Sequence, residues 1–314
     1  MKLLSYRKGS EVRTGILIGE GIIDLNRACL EFMELRGEDE DFLERYCSAI
    51  LPKDMLSLLQ AGERALNLIK DILRYKEVLE VLTPLESVKL TSPLPRANTF
   101  RDFLAFRGHV EASFKRRGMV VPPEWYKRPV YYKGDPRIFV GHNEDIPWPK
   151  YSNHLDLELE IAAITYKKGK DLKGEEAKEY IIGYTILNDF SARDVQMEEM
   201  KCLLGPSKGK DFVKSLGPYI VTRDEINNIL GLNVKAEVNG EVWCDTKIKD
   251  MQWSFEEMIS YVSQDEFIRP GDVFGSGTIT GCTGIDIGRS LRNGDIIDLY
   301  VEGIGVLRNK VVRL

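Results

Sequence analysis

No stretch of this 314-residue chain strings together the ~20 apolar residues a membrane-spanning helix needs, so no membrane partner is expected. The opening residues, MKLLSYRKGSEVR, turn charged too soon to hold the hydrophobic centre of a signal peptide, which leads to the expectation of a cytoplasmic protein. A concentrated basic face is also missing. Lys and Arg number 44 against 49 acids, a net charge of −5, and clusters such as Lys115, Arg116 and Arg117 are short, which argues against a nucleic-acid partner. Cysteine is sparse and scattered, at 29, 47, 202, 244 and 282, with no C-x-x-C. Neither a disulfide framework nor a zinc site is expected, and most of these residues read as buried thiols. Histidine is scarcer still, with three in all: His109, His142 and His154. No repeat and no low-complexity segment occurs. With 43% hydrophobic and 30% charged residues, what remains is an ordinary globular chain, long enough for one large domain and a smaller one.

Short β-like runs come first, over residues 2–6, 14–19 and 21–25, and helical periodicity takes over from about Arg27. It returns in LPKDMLSLLQAGERALNLIKDIL, where Leu56, Leu59, Leu66, Ile69 and Leu73 form an amphipathic stripe. The Pro-punctuated residues 88–95 read as the entry to a second unit. Beyond Asn98, short strands alternate with Gly-rich turns. Asn239-Gly240 between two alternating runs predicts a hairpin, and Ser254 with Glu257 predicts a capping box opening a helix near 255–262. The expectation is a β-rich α+β protein, with a small N-terminal α+β domain at 1–87 and a catalytic domain at 88–314.

Within NHLDLELEIAAITY, acids and aliphatics alternate as in a half-buried strand. Side chains on a strand switch faces at each residue, so Asp156, Glu158 and Glu160 share one face. Three like charges so placed repel unless something positive sits among them. A bound cation and a Lys or Arg from a neighbouring strand are both solutions, and a plain solvated face needs neither. In ILNDFSARDVQ, Asn188-Asp189 fits turn chemistry at a strand end, with Ser191 capping the next helix and Arg193 paired with Asp194. A third acid-bearing segment, TFRDFLAFRGHVEASFKRRG, places Asp102 seven residues before His109.

Asp102 and His109, then LDLELEIA, LNDFSARDVQ, Gly209-Lys210 and SGTITG, in that order, resemble the fumarylacetoacetate hydrolase family from about Arg101 to the C-terminus. The resemblance implies a mixed β-sandwich or β-roll catalytic domain. It implies that Asp102, Glu158, Glu160 and Asp189 hold one divalent ion, and an all-carboxylate set suits Mg²⁺, Mn²⁺ or Ca²⁺. Asp156 lies outside the matched motif and reads as structural. His109 resembles a general base that activates water, with Asp286 of GIDIGR standing where the family carries a Glu. Gln196 and Lys210 resemble groups that stabilise developing negative charge. Tyr132 and Thr278 resemble substrate contacts, and either Arg116 or Arg117 the family's carboxylate-binding arginine. Leu104 stands where hydrolases of the family carry a tyrosine.

The implied activity is metal-dependent hydrolysis of a C–C bond in an acylpyruvate or β-diketo acid, as in aromatic catabolism, by a homodimer acting on small keto acids. The alternative is decarboxylation, dehydration or isomerisation of a 2-keto acid through a common enolate. A third reading, a non-catalytic protein with a purely structural cation, requires no cleft beside the ion. The residues 115–129, rich in Pro, Gly and charge, have the composition of a mobile cover.

Overall fold

The computed structural model describes residues 1–38, 40–75 and 82–313. Strands β1 (Lys2–Lys8), β2 (Glu11–Ile18) and β3 (Gly21–Asp24) form an antiparallel meander. Helices α1 (Leu25–Glu34), α2 (Glu40–Ile50) and α3 (Met55–Ile72) follow. Asp24 and Asp54 cap α1 and α3, each carboxylate accepting a backbone N–H at 2.9 Å. The α3 stripe is the expected one: Leu56, Leu59 and Ile69 are buried, and Leu66 and Leu73 pack against the same core. The helix bends at Gly62, whose φ of +65° is cheap only for glycine. Two short strands, β4 (Thr83–Pro84) and β5 (Lys89–Leu90), return to the meander by pairing with β3 and β1.

The rest of the chain runs through β6 (Thr99–Phe103), α4 (Arg107–Arg116), β7 (Tyr131–Gly134), β8 (Phe139–Val140), β9 (Asp145–Pro147), β10 (Leu155–Asp156) and β11 (Leu159–Thr165). It continues with α5 (Glu175–Lys178), β12 (Ile181–Asn188), β13 (Ser191–Ala192), α6 (Arg193–Lys201) and β14 (Lys214–Thr222). Last come β15 (Asn233–Val238), β16 (Glu241–Lys247), α7 (Phe255–Val262), β17 (Asp272–Gly275), β18 (Ile296–Val301) and β19 (Gly305–Val312). A 12-stranded sheet has the order β4-β3-β2-β1-β14-β12-β11-β17-β6-β7, with β5 and β8 attached at β1 and β14. A five-stranded sheet, β16-β15-β18-β19-β9, accompanies it. Most pairs are antiparallel, but β17–β6, β8–β14 and β9–β19 are parallel. The protein is thus β-rich α+β with mixed sheets. Leu3 lies opposite Ile220, so the first strands extend the large sheet instead of forming their own. One core includes apolar residues of the five-stranded sheet and of α7. A second lies under the N-terminal helices and includes Phe100, Ala162 and Leu187.

The hairpin is β15–β16, with φ of +53° at Asn239 and +78° at Gly240. The capping box is present, Ser254 N–H donating to Glu257 at 2.7 Å and Glu257 N–H to Ser254 Oγ at 3.3 Å. Two expectations need correction. The acid-bearing strand is not half-buried: residues 155–165 are buried throughout, because β11 sends Leu159, Ile161 and Ala163 into one core and Ala162 and Ile164 into the other. Cysteines 29 and 47 are joined, as are 244 and 282, with Cα atoms 5.7 and 5.1 Å apart, so four of the five are disulfide-bonded. Partners so far apart in sequence leave no spacing signal. Cys202 is free and exposed.

Candidate active site

Three strands of the large sheet, with β17 lying between β11 and β6, deliver three acids to one point. Asp102 sits in β6, Glu160 in β11, and Asp189 directly after β12. In register, Asp102 pairs with Gly275 and Gly275 with Ala162, while Glu160 pairs with Leu187. One oxygen from each of Asp102, Glu160 and Asp189 lies within 4.8 Å of the others, and all three residues are buried. Close approach requires glycine here. A Cβ on Gly275 would strike the Asp102 carboxylate. Gly277, at φ +78°, turns its N–H onto Asp102 Oδ1 at 3.2 Å and Glu160 Oε2 at 3.1 Å.

The acids divide into two pairs by their neighbours. Asp189 is gripped by Lys210 Nζ and by Lys214 Nζ at 2.5 Å, and accepts from Tyr132 Oη at 3.0 Å. Burial pushes its carboxyl up, but the two lysines outweigh burial and hold it below the usual range. Glu158 is likewise held low, with Arg193 Nη1 at 2.7 Å and Lys210 Nζ at 2.5 Å. No ion pair reaches Asp102 or Glu160 among the described residues. Burial first, then the charge of Asp189 on Asp102 and of Asp102 on Glu160, pushes both carboxyls well above their usual range. Basic side chains from α6, from the turn before β14 and from β14 itself therefore serve Glu158 and Asp189, while Asp102 and Glu160 have no such partner among the described residues. Glu160 Oε1 is buried with no hydrogen-bond partner. An orphaned oxygen beside two further carboxylates fits a hard divalent cation, which takes oxygen ligands. Glu158 stands next to this trio, with both its oxygens engaged by basic side chains.

Helix α4 carries His109 to the same place. Its N–H donates to Thr280 Oγ1 at 3.2 Å, and Nδ1 lies 3.3 Å from Asp286 Oδ2. Asp286 Oδ1 accepts from Arg116 Nη1 at 2.6 Å. Burial raises the Asp286 carboxyl, but His109 and Arg116 together hold it below its ordinary range. Gln196 Oε1 accepts from Arg193 Nη1 at 3.1 Å, and Thr278 is buried. A cavity of about 420 Å³ opens here, and every singled-out site residue except Asp286 lines it, Arg117 included. Leu104 is on its wall. This is the cleft that a purely structural cation would not have needed. The segment expected as a cover is pinned at Trp125, which is buried and donates Nε1–H to the Leu104 carbonyl at 2.7 Å.

Arg193 is not paired with Asp194. It binds Asp156 with Nε at 2.9 Å and Nη2 at 2.7 Å, and also Glu158, because α6 turns it inward. Asp194 accepts instead from Ser152 Oγ at 2.6 Å and Asn153 N–H at 2.8 Å. Ser191 does not cap α6: it is in β13, and its hydroxyl donates to the Asp189 carbonyl at 3.0 Å. Asp156 is structural in a specific way, since beyond Arg193 it accepts from Thr283 Oγ1 at 2.8 Å, Gly284 N–H at 2.8 Å and Ile285 N–H at 3.1 Å. Lys214 went unnoticed in sequence. A lysine inside the apolar run FVKSLGPYIV, four residues after Lys210, was the available signal.

Residues 98–312 match the family model described as "Fumarylacetoacetate (FAA) hydrolase C-terminal". A mitochondrial oxaloacetate tautomerase of Bos taurus is 33% identical over 268 residues, covering 83% of this chain and 81% of its own. A fumarylacetoacetate hydrolase from psychrophilic Exiguobacterium antarcticum superposes with a TM-score of 0.72 at 25% identity, covering 100% of both chains. A maleylpyruvate hydrolase from Sphingobium sp. SYK-6, solved with manganese(II) and pyruvate, has a TM-score of 0.70 at 23% identity, covering 100% of this chain and 99% of that one.

Proposed function

Because the chain belongs to the fumarylacetoacetate hydrolase family of enzymes, we propose that it catalyses keto–enol interconversion of a 2-oxo dicarboxylic acid such as oxaloacetate, assisted by a divalent cation. The observation that carries this reading is that His109, backed by Asp286 at Nδ1, lines one cavity with the buried trio of Asp102, Glu160 and Asp189. The relatives named as oxaloacetate tautomerases at 30–33% identity support the choice of reaction. The cation is Mg²⁺ or Mn²⁺, held by Asp102, Glu160 and Asp189, with Glu158 beside them. When bound it supplies Lewis-acid polarisation of the substrate's adjacent oxygens.

The chain's own residues do the rest. His109 takes the proton from the carbon next to the 2-oxo group, and Asp286 at Nδ1 orients the imidazole and steadies the imidazolium that forms. Lys210 and Gln196 stand on the cavity wall as donors toward the oxygen on which negative charge develops. Toward the enol, His109 then gives that proton to the oxygen; toward the keto form it takes the enol proton from the oxygen and delivers it to the carbon. A second reading keeps the same residues. The family's hydrolases pair a histidine with a carboxylate for water activation, and Asp286 does approach His109, which favours C–C cleavage of an acylpyruvate as the alternative outcome.

The test is a spectrophotometric panel with Mg²⁺ or Mn²⁺, with and without chelator, following the enol absorbance of oxaloacetate and of acylpyruvates. Chelator-sensitive acceleration of oxaloacetate ketonisation, with no new carboxylic acid product, supports tautomerisation. Stoichiometric release of pyruvate from an acylpyruvate would transfer the assignment to hydrolysis. No acceleration of either would sink both.

A further inference from the structure

Asp286 is shared by two side chains of one helix. His109 and Arg116 are seven residues apart on α4, two turns, and so lie on the same side. The bond from Arg116 is the shorter one, 2.6 Å against 3.3 Å, and it joins two full charges. The three members differ in freedom. Asp286 cannot follow Arg116, because the turn that carries it is nailed down by Asp156 through Thr283, Gly284 and Ile285. His109 is buried, and its backbone N–H is held by Thr280 Oγ1 at 3.2 Å. Arg116 is a long side chain, 34% exposed, on the cavity wall. Its neighbour Arg117 is occupied elsewhere, bonded to Ser113 and lying over the Phe114 ring at 4.8 Å.

We propose that Arg116 is a substrate-displaced positioning residue: paired with Asp286 it screens the carboxylate that His109 depends on, and the far carboxylate of a 2-oxo dicarboxylate draws it away. With Arg116 gone, the undivided charge of Asp286 faces His109 and stabilises the imidazolium formed on proton transfer. Binding energy from a remote part of the substrate is thereby converted into rate at the reacting carbon. The inference rests on His109 as the base of the proposed reaction. It adds a discrimination that acts on kcat: a substrate without the second carboxylate leaves Arg116 on Asp286 and reacts on a half-assembled base.

Two measurements on the full chain test it, wild type against Arg116→Gln, with Arg116→Lys as the charge-keeping control. The first needs no substrate or metal. In ¹⁵N-labelled protein the His109 Nδ1 resonance, assigned among three histidines by substituting His142 and His154, shifts in Arg116→Gln toward a stronger hydrogen bond, and stays near wild type in Arg116→Lys. An unmoved His109 resonance in Arg116→Gln overturns the proposal. The second follows methyl-proton exchange of pyruvate into D₂O with Mg²⁺. Arg116→Gln raises kcat for pyruvate about tenfold while raising KM for oxaloacetate. Merely structural damage would lower both rates, and a pyruvate kcat that is unchanged or reduced overturns the proposal. If no variant exchanges pyruvate or turns over oxaloacetate, the functional reading has failed, and the resonance comparison alone decides whether Arg116 governs the His109–Asp286 bond.

Discussion

Replacing Glu160 by glutamine removes one carboxylate from the trio while keeping its shape, and its effects on the metal-free and metal-loaded protein have opposite signs. Two unit charges 4.8 Å apart repel by about 3.5 kcal/mol at an effective dielectric constant near 20. The raised proton affinities of Asp102 and Glu160 show that part of this repulsion is already relieved by protonation, so the realised gain is smaller, about 1–2 kcal/mol. The introduced amide oxygen would still accept the Gly277 N–H, and the amide nitrogen could donate to Asp102. The metal-free variant therefore melts higher than wild type by about 2–3 °C, at roughly 1.5 °C per kcal/mol for a chain of this size. With Mn²⁺ the order reverses. Ion at 100 times its Kd stabilises the wild type by about 2.7 kcal/mol, and a variant whose affinity has dropped ~100-fold gains well under 1 kcal/mol at the same concentration. Thermal melts in chelator and in graded Mn²⁺, checked by titration calorimetry, read both effects. A Glu160→Gln protein that melts lower in chelator and keeps the full Mn²⁺ shift would refute the reasoning.

Three further outcomes follow from the same geometry. Asp102 and Glu160 have folded proton affinities raised above their unfolded ones, so the metal-free protein loses stability as pH rises from the ordinary carboxylate range through those raised values. Because a cation must displace these protons, the Mn²⁺-induced shift in melting temperature should be larger at pH 8 than at pH 5.5, and an equal shift at both would contradict it. Asp286→Asn should lower kcat by about 10²- to 10³-fold with unchanged metal affinity, since it touches His109 and not the trio; calorimetry beside kinetics separates the two. Lys214→Met leaves Asp189 with one lysine fewer in a fully buried setting and should cost about 3–5 kcal/mol in urea denaturation. The double variant with Asp189→Asn should recover part of that loss.

What could be read without coordinates had local causes. Asn239-Gly240 specifies its turn through backbone φ, and Ser254 with Glu257 specifies a helix start through reciprocal hydrogen bonds, so both were legible from a few residues. The acids at 158 and 160 were legible as candidates because like charges on one strand face demand compensation, whereas those at 102 and 189 were legible only through the family resemblance of their segments. Which positive group answers each one was not legible. Arg193 adjoins Asp194 in sequence yet binds Asp156 and Glu158, since strand pairing across more than 30 residues decides what lies beneath α6. Asp156 holds the Asp286 turn by hydrogen bonds spanning more than 120 residues, and no periodicity encodes that. The burial of both faces of β11 also depended on the two cores that pack on either side of it, because alternation describes which residues share a face and not what covers it.

The account stands or falls on whether Asp102, Glu160 and Asp189 close around one divalent ion. Crystals grown with Mn²⁺ and measured at a wavelength where manganese scatters anomalously would answer this without any knowledge of substrate. The account predicts a single strong anomalous peak among those three carboxylates, on the wall of the cavity that His109 lines, and its disappearance in Glu160→Gln. A fully occupied peak elsewhere with none at the trio, or no peak at millimolar Mn²⁺, would contradict it.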